Sequence, residues 1–190
     1  MTTETVLVSE ETYRRIALRD PDGHWELHGG LLREKPGMTF VHNRLAFRLA
    51  FLLQQQLDWN DFVVGQNGGR VRRFEQHVYI PDVFIAPAVD AESLRSRSDR
   101  LEIYDAPLPL VVEVWSPSTG AYDVNEKLLE YQRRGDQEIW RLHPIDRTLT
   151  AWRRQPGGSY DETVNTGGEV RLSALPSVVI DLTALFAVVT

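Results

Sequence analysis

Two acidic residues lie inside apolar segments of the sequence, where a buried strand ordinarily carries aliphatic side chains. Glu113 falls within LPLVVEVWS, residues 108–116, and Asp82 falls within YIPDVFI, residues 79–85. An ionised carboxylate is unfavourable to bury, so buried acids are paired, protonated or bound to a metal. Two carboxylates brought together also repel each other, and a hard divalent cation such as Mg²⁺ relieves both effects. The two segments together favour a metal site for Mg²⁺, or for Mn²⁺ in its place.

The position of Glu113 within its segment supports this interpretation. Period-two alternation puts Glu113 on one face of a strand together with Val111 and Trp115. The strand ends at Ser116, so Glu113 lies near its C-terminal edge, where sites form in open α/β sheets. A purely structural alternative stays open, in which Asp82 caps a turn and Glu113 pairs with an arginine of the sheet.

A lysine follows in the next predicted helix, which covers residues 119–134. Within it Asp123, Lys127 and Tyr131 are spaced at i, i+4 and i+8, so they share one face. Of the 21 Lys and Arg residues only Lys35 and Lys127 are lysine, and a position that needed only positive charge would usually hold arginine. An exposed Asp123–Lys127 ion pair is the alternative, but the nearby buried acid favours a functional Lys127.

The remaining elements fit a sheet with helices on its faces. Helices are predicted from a Ser9 cap to about Leu18 and over residues 39–57, and Gly135 ends the helix described above. Strands are predicted at residues 25–27, 31–34, 62–65, 70–74, 83–86 and 108–116, then in QEIWRLHP and RTLTAWRRQ. The tail LPSVVIDLTALF is predicted as a strand or turn that leads into a short helix. The polar residues 91–101 are interpreted as a loop. Helices and strands without a strict βαβ rhythm predict an α/β or α+β fold with a mixed central sheet.

Length and composition restrict the class of protein. The chain has 190 residues, of which 42% are hydrophobic and 25% charged, and one domain over residues 1–190 is the natural expectation. The absence of cysteine excludes disulfide frameworks, thiolate catalysis and cysteine-ligated zinc or iron–sulfur sites. No segment has the pattern of a signal peptide or a membrane span, so a cytoplasmic protein without membrane contact is expected.

Four motifs resemble those of the Uma-type restriction endonucleases, a branch of the PD-(D/E)XK nuclease superfamily. They are PDVFIAP, LPLVVEVWSPST, DVNEKLLEYQRRG and EIWRLHP. The segments WELHGGLL, VHNRLAFRLAFLL and LPSVVIDLTALF are also similar to that family, so the resemblance covers most of the chain. It implies a restriction-endonuclease-like core, with a mixed central β-sheet flanked by helices, in a single nuclease-like domain over residues 1–190.

The resemblance also implies roles for individual residues. Asp82 matches the aspartate of the Pro-Asp motif and Glu113 the acidic residue of the second motif, and both would bind the metal. The superfamily lysine stands two residues after that acid, but Trp115 occupies this position here. The Uma-type pattern takes its lysine from the next helix, and Lys127 matches that place, 14 residues after Glu113. Asp82, Glu113 and Lys127 are thus the implied catalytic residues, with Glu26 as a further carboxylate at the metal.

Three flanking residues keep alternative interpretations. Glu26 could instead be a surface charge of the N-terminal hairpin. His42 heads the long helix, where the family often has a histidine, and could equally be a partly buried helix-start residue. Tyr131 is expected to pack rather than react. The five histidines show neither HExxH nor H-x-H spacing, so a histidine-based metal site is not expected.

The implied activity is metal-dependent endonucleolytic hydrolysis of DNA. Asp82, Glu113 and the main-chain carbonyl of Val114 would hold one or two Mg²⁺ ions, while Lys127 would orient or help to deprotonate the attacking water. The products would carry a 5′-phosphate and a 3′-hydroxyl. Two alternatives are kept: a catalytically inactive nuclease fold used for binding or dimerisation, and a nuclease acting on RNA or another phosphodiester.

DNA binding requires positive charge in a chain whose net charge is −6. Three groups of arginines are candidate contacts: Arg70, Arg72 and Arg73; Arg95, Arg97 and Arg100; and Arg44 with Arg48. The acidic balance predicts weak, strongly salt-dependent binding unless a dimer aligns two such faces. Trp140 and Trp152 in the C-terminal meander would suit a homodimer surface, although core packing explains them at least as well.

Overall fold

Helices and short strands are interspersed along the chain in a computed structural model, which describes residues 6–74, 76–95, 99–117 and 120–189. Within these ranges the α-helices are α1 (Glu10–Arg19), α2 (Phe40–Gln54), α3 (Ala88–Arg95), α4 (Gly120–Arg134) and α5 (Leu182–Phe186), and a 3₁₀ turn (Ala187–Val189) follows. None of these helices has the length and hydropathy needed to cross a bilayer. The expectation of a mixed α/β fold is confirmed.

A six-stranded mixed sheet forms the centre of the fold. In spatial order it contains β11 (Tyr160–Asn165), β10 (Thr148–Arg154), β9 (Glu138–His143), β8 (Leu110–Val114), β6 (Val83–Pro87) and β3 (Phe62–Gln66). Strands β8 and β9 are parallel and α4 lies between them in sequence, while the other neighbouring strands are antiparallel. The sheet is therefore mixed, with one crossover helix after the strand that carries Glu113.

A second sheet of five strands contains the N-terminal hairpin. Its spatial order is β2 (Leu31–Glu34), β1 (Trp25–His28), β5 (His77–Tyr79), β4 (Arg70–Arg72) and β7 (Ile103–Tyr104). Strands β12 (Glu169–Arg171) and β13 (Val179–Asp181) form a separate antiparallel pair. Only residues 80–82 separate β5 of the second sheet from β6 of the central one, so Asp82 stands where the chain passes between the two sheets.

Apolar side chains pack on both faces of the central sheet. The even-numbered aliphatic residues of β8 join a core with α2 and α5. Val111 packs on the opposite face, in a core that includes Tyr131 of α4. The alternation predicted for this strand is thereby confirmed, and Glu113 shares the α4 face with Val111.

Local capping explains where the site-bearing helices begin and end. The Ser9 side chain accepts a hydrogen bond from the N–H of Thr12 at the start of α1, and the Thr39 side chain accepts one from the N–H of His42 at the start of α2. Helix α4 ends at Arg134 and is followed by Gly135, whose φ of 88° is the left-handed conformation that glycine adopts easily. The Thr39 cap fixes His42 in the first turn of α2.

The loop predicted over residues 91–101 is wrong in its first part, because α3 continues to Arg95. Ala91 is buried and Leu94 packs against the α4-side core, so tertiary packing stabilises a helix in a polar stretch. Strand β5 was not indicated by the sequence, since three residues are too few to display alternation.

The two tryptophans considered for a dimer surface are part of the core. Trp140 is 0% exposed and Trp152 is 6% exposed. The core-packing alternative is therefore correct for both residues, and they offer no surface for a second copy. The homodimer stays a prediction without this support.

Candidate active site

Asp82 immediately precedes β6 and Glu113 lies on the neighbouring strand β8 of the central sheet. The backbone N–H of Asp82 donates to the carbonyl of Val112 (3.1 Å), and the backbone N–H of Val114 donates to Asp82 Oδ2 (2.7 Å). Because β6 and β8 pair Val83 with Val112, the same register continued by one residue sets Asp82 opposite Glu113. The Asp82 side chain is 1% exposed and that of Glu113 is 10% exposed, so Glu113 is the more accessible acid.

Helix α4 brings Lys127 to this pair of strands. Its Nζ lies 2.8 Å from Oε1 of Glu26 and 3.4 Å from Oε1 of Glu113, and its side chain is buried. Tyr131, one helical turn later, donates its hydroxyl to Glu113 Oε1 (2.6 Å). The shared face of Lys127 and Tyr131 is therefore the face directed at Glu113. The side chain of Asp123, the third residue of that predicted face, is outside the part of the chain that the structure describes.

Glu26 is a buried residue of β1 and not a surface charge of the hairpin. Its Oε1 accepts the backbone N–H of Ile80 (2.8 Å) and contacts Lys127, and its Oε2 lies 2.9 Å from Nε2 of His28. These contacts tie the second sheet to α4. Glu26 is thus placed to hold the ammonium group of Lys127 beside Glu113.

A lysine and a histidine side chain hold Asp82 in place. Lys35 Nζ donates to Asp82 Oδ1 (2.5 Å), to the carbonyl of Ile80 (2.9 Å) and to Asn67 Oδ1 (3.2 Å). His42 Nε2 lies 2.9 Å from Asp82 Oδ2. The side chains of Lys35 and His42 are both buried. His42 is thus a buried residue of the first turn of α2 that contacts Asp82, and a functional role for it stays a prediction.

Sequence reasoning did not assign a role to Lys35. The signal was present, because the chain has only two lysines and both lie in this cluster. Lys35 follows the short strand β2 and no motif surrounds it, so only the rarity of lysine in this arginine-rich chain pointed to it.

Trp115 occupies the place of the superfamily lysine. Its ring stacks on the imidazole of His143 at the end of β9, with centroids 4.3 Å apart and an angle of 28° between the planes. The position therefore supplies an aromatic surface where the superfamily pattern has an ammonium group.

The charge state of Glu113 is set mainly by its environment. Burial raises the pKa of Glu113 to about 7; Lys127 opposes this rise and the negative charge of Asp82 adds to it. Glu113 consequently binds a proton up to near-neutral pH in the metal-free protein. A divalent cation at this position would replace that proton.

The other carboxylates of the cluster are ionised. Burial opposes ionisation of Glu26, but Lys127 and then His28 outweigh it and lower the pKa of Glu26 to about 2. Burial also opposes ionisation of Asp82, yet Lys35 and then the hydrogen bond with His42 hold its pKa well below the usual range. Both groups are therefore fixed acceptors at neutral pH.

Lys127 remains a cation despite its burial. Burial by itself would lower its pKa, but the charges of Glu113 and Glu26 raise the pKa of Lys127 well above its usual value. Its ammonium group therefore supplies a fixed positive charge beside Glu113.

The donor set fits a magnesium site made of two carboxylates. Within the described ranges no three His, Asp or Glu side chains converge closely enough to hold a metal by themselves. Mg²⁺ commonly binds through one or two carboxylates and keeps several waters, which substrate phosphate oxygens can replace. Asp82 and Glu113 supply two such carboxylates, but Lys35, His42 and the Val114 N–H already contact the Asp82 oxygens, so a metal at this pair stays a prediction. The Glu26 oxygens already have three partners, so its role as a metal ligand stays a prediction.

The arginines proposed to contact DNA fall in different places. Arg72 donates to Asp105 and Glu10, and Arg73 contacts Glu130. Arg44 and Arg100 are exposed, Arg48 is half-buried and Arg70 donates to the hydroxyl of Tyr13. Arg97 and the side chain of Arg95 lie outside the described residues.

Comparisons with known proteins show the family and the fold. Residues 10–185 match the Uma2 family, which is described as "Putative restriction endonuclease". The fold is similar to the crystal structure of a putative nuclease belonging to DUF820 from Anabaena variabilis, with a TM-score of 0.72 and 16% sequence identity over 87% of this chain and 91% of that chain. No curated protein matches the sequence. Because the family match spans most of the 190 residues, the chain belongs to the Uma2 family.

Proposed function

We propose that this protein is a metal-dependent endonuclease that hydrolyses DNA phosphodiester bonds. The observation that carries the proposal is the placement of Lys127, whose Nζ lies 3.4 Å from the Glu113 carboxylate although it comes from a separate helix. This ammonium group takes the place of the lysine that Trp115 replaces in the strand. Membership of the Uma2 family and the nuclease-like fold support the same reaction class.

Asp82 and Glu113, with the main-chain carbonyl of Val114, would hold Mg²⁺ in this proposal. The bound cation would polarise a phosphate oxygen and lower the pKa of a water molecule. Asp82 is kept ionised and correctly oriented by Lys35, His42 and the N–H of Val114. Lys35 and His42 are therefore positioning residues that act through Asp82.

Lys127 would contribute positive charge beside the scissile phosphate. Because its pKa is raised, it stays protonated at neutral pH and cannot accept the proton of the attacking water. Its role is therefore to orient that water and to stabilise the charge that builds up on the phosphate. Glu26 keeps the ammonium group in place at 2.8 Å.

A second function is favoured by one specific observation. Both oxygens of Asp82 already have partners, Lys35 on Oδ1 and His42 with the Val114 N–H on Oδ2. A cluster that is satisfied without a metal is what an inactive nuclease fold, used as a binding module, would contain. Metal binding distinguishes the two functions, since an inactive module has no use for a cation at Asp82.

Cleavage assays test the proposed reaction. Supercoiled plasmid and single-stranded DNA and RNA oligonucleotides are incubated with Mg²⁺, with Mn²⁺ or with EDTA. We expect the wild type to cut DNA only with metal, and Asp82→Ala, Glu113→Gln and Lys127→Ala to abolish cutting. The matched control is Glu169→Gln, an exposed acid of β12 far along the chain from the cluster, which should cut like the wild type.

The variants must be folded for the result to count, so each is checked by circular dichroism and thermal unfolding. Undiminished cutting by all three folded variants would refute the assignment of these residues. Cleavage of RNA alone would keep the metal site and change the substrate.

A further inference from the structure

A second concentration of positive charge lies at the C-terminal end of α4, outside the acidic cluster. A cavity of about 430 Å³ is lined there by Arg72, Arg73, Phe74, Asp105, Arg133 and Arg134. Four arginines and one aspartate are therefore among the residues that line the cavity. In a chain with a net charge of −6, such a local excess requires an explanation.

The carboxylates that balance these arginines lie mostly behind the wall. Asp136, the partner of Arg134, is completely buried, and the Glu130 side chain, which contacts Arg73 and Arg133, is 9% exposed. By contrast, the Arg133 side chain is 62% exposed. Arg133 thus presents its positive charge to solvent at the cavity, which favours an anionic ligand there. Arg134 is as buried as its partner, and Asp105 is more exposed than Arg72.

Phe74 adds an aromatic surface to the same cavity. Its side chain is 77% exposed, and its φ of 54° is a conformation that bulky residues rarely adopt. The guanidinium of Arg73 lies 4.9 Å from the centre of the ring. The exposed Phe74 ring, which also contacts the Arg73 guanidinium, is available to stack on a flat ligand.

A second cavity along α4 leads from the arginine-lined cavity towards His28, which contacts Glu26. This second cavity of about 310 Å³ shares Arg133 and follows α4 to Glu126 and His28. His28 contacts Glu26, which in turn contacts Lys127. From Lys127 to Arg134 the helix rises about 10 Å at 1.5 Å per residue.

We propose that this groove, defined by the two cavities along α4, binds an unpaired nucleic-acid strand and leads it to the acidic cluster. The proposal rests on the nuclease function and names its substrate: a single-stranded or unpaired segment rather than an intact duplex. Guanidinium groups contact the phosphates, and Phe74 stacks on a base. An intact duplex offers no open base face within the helix, so an isolated exposed ring favours an unpaired strand.

Binding is measured with metal removed, so that cleavage does not interfere. Fluorescence anisotropy with a fluorescein-labelled dT12 strand in EDTA compares the wild type with Phe74→Ala and Phe74→Tyr. We expect Phe74→Ala to weaken binding by about 5- to 150-fold, the range for loss of one base–aromatic stack, and Phe74→Tyr to bind like the wild type. The matched control is Phe40→Ala, since Phe40 is equally exposed (77%) but lies on α2.

An abasic strand of the same length separates stacking from a general effect on the protein. Phe74→Ala should bind this strand as the wild type does. Arg133→Gln should weaken both strands and reduce the dependence of log K on log salt by about 0.7, the contribution of one phosphate contact to a single strand. Arg19→Gln, which removes an exposed arginine of α1, should leave the slope unchanged.

The experiments distinguish a wrong proposal about strand binding in the groove from a wrong proposal about the nuclease function. Hydrolysis of bis(4-nitrophenyl) phosphate with Mn²⁺ needs only the acidic cluster, because this small diester cannot fill the groove. The proposal of strand binding in the groove is wrong if the wild type and Phe74→Ala bind dT12 equally. It is also wrong if Phe74→Ala loses as much affinity for the abasic strand as for dT12. Both conclusions hold whether or not the diester is hydrolysed. A loss of affinity of Phe74→Ala for dT12 alone supports the proposal. The same measurement with rU12 shows whether the groove prefers DNA or RNA.

Discussion

Replacing Glu113 by glutamine should stabilise the metal-free protein at alkaline pH. The glutamine has the shape of the protonated acid, and its amide oxygen can still accept the hydroxyl of Tyr131. What the substitution removes is a buried carboxylate next to Asp82, which is unfavourable to ionise in the folded state.

The magnitude follows from the pKa of Glu113, which burial raises from 4.5 to about 7. Below pH 4.5 the carboxyl is protonated in both states, so ionisation has no effect on stability. Between pH 4.5 and 7 the unfolded chain loses the proton and the folded chain keeps it, so stability falls as pH rises. Each pKa unit corresponds to about 1.4 kcal/mol, so the free energy of unfolding has fallen by about 3 kcal/mol once the pH is above 7.

Urea unfolding in EDTA at pH 5 and pH 8 measures this difference. We expect Glu113→Gln to exceed the wild type by about 3 kcal/mol in free energy of unfolding at pH 8 and to lie close to it at pH 5. Glu169→Gln controls for the loss of one exposed acid. The same difference at both pH values, or a greater destabilisation at pH 8 than at pH 5, would refute the reasoning. Adding Mg²⁺ at 100 times its Kd should return about 2.7 kcal/mol to the wild type alone.

Two further outcomes follow from buried contacts. Lys127→Met removes the lysine that pairs with the ionised Glu26 and should lower the free energy of unfolding by about 3–5 kcal/mol. Adding Glu26→Gln should recover part of this loss, and an unchanged or larger loss in the double variant would contradict the pairing. Gly65→Ala should destabilise by about 1–3 kcal/mol in thermal unfolding, because a Cβ there would meet the Phe84 ring at 2.1 Å. Gly157→Ala, with nothing within 4 Å, should change little, and equal effects at both glycines would contradict the close approach.

The part of the site that the sequence predicts is the part set by local patterns. A single acid in an aliphatic strand identifies Glu113, because alternation fixes its face and the strand's end fixes its depth. The spacing of Lys127 and Tyr131 fixes their common helical face. The structure brings that face to Glu113, whereas the catalytic roles of these residues stay predictions.

Contacts between distant segments have no such local signal. Lys35 meets Asp82 only because the second sheet packs against the start of the central one, and neither residue's neighbours in sequence indicate the other. The same holds for Glu26 and Lys127, which come from a hairpin and a helix. Helix α3 shows the corresponding limit for secondary structure, since burial of Ala91 outweighs the polar character of its segment.

Calorimetric titration with Mn²⁺ tests most directly whether Asp82 and Glu113 form a metal centre. Wild type, Glu113→Gln and Glu169→Gln are titrated in the same buffer at pH 8, where Glu113 is ionised. We expect one or two ions to bind per chain of the wild type and of Glu169→Gln, and binding to be lost in Glu113→Gln. Equal binding by wild type and Glu113→Gln, or no binding by either, would contradict the metal centre and favour an inactive nuclease fold.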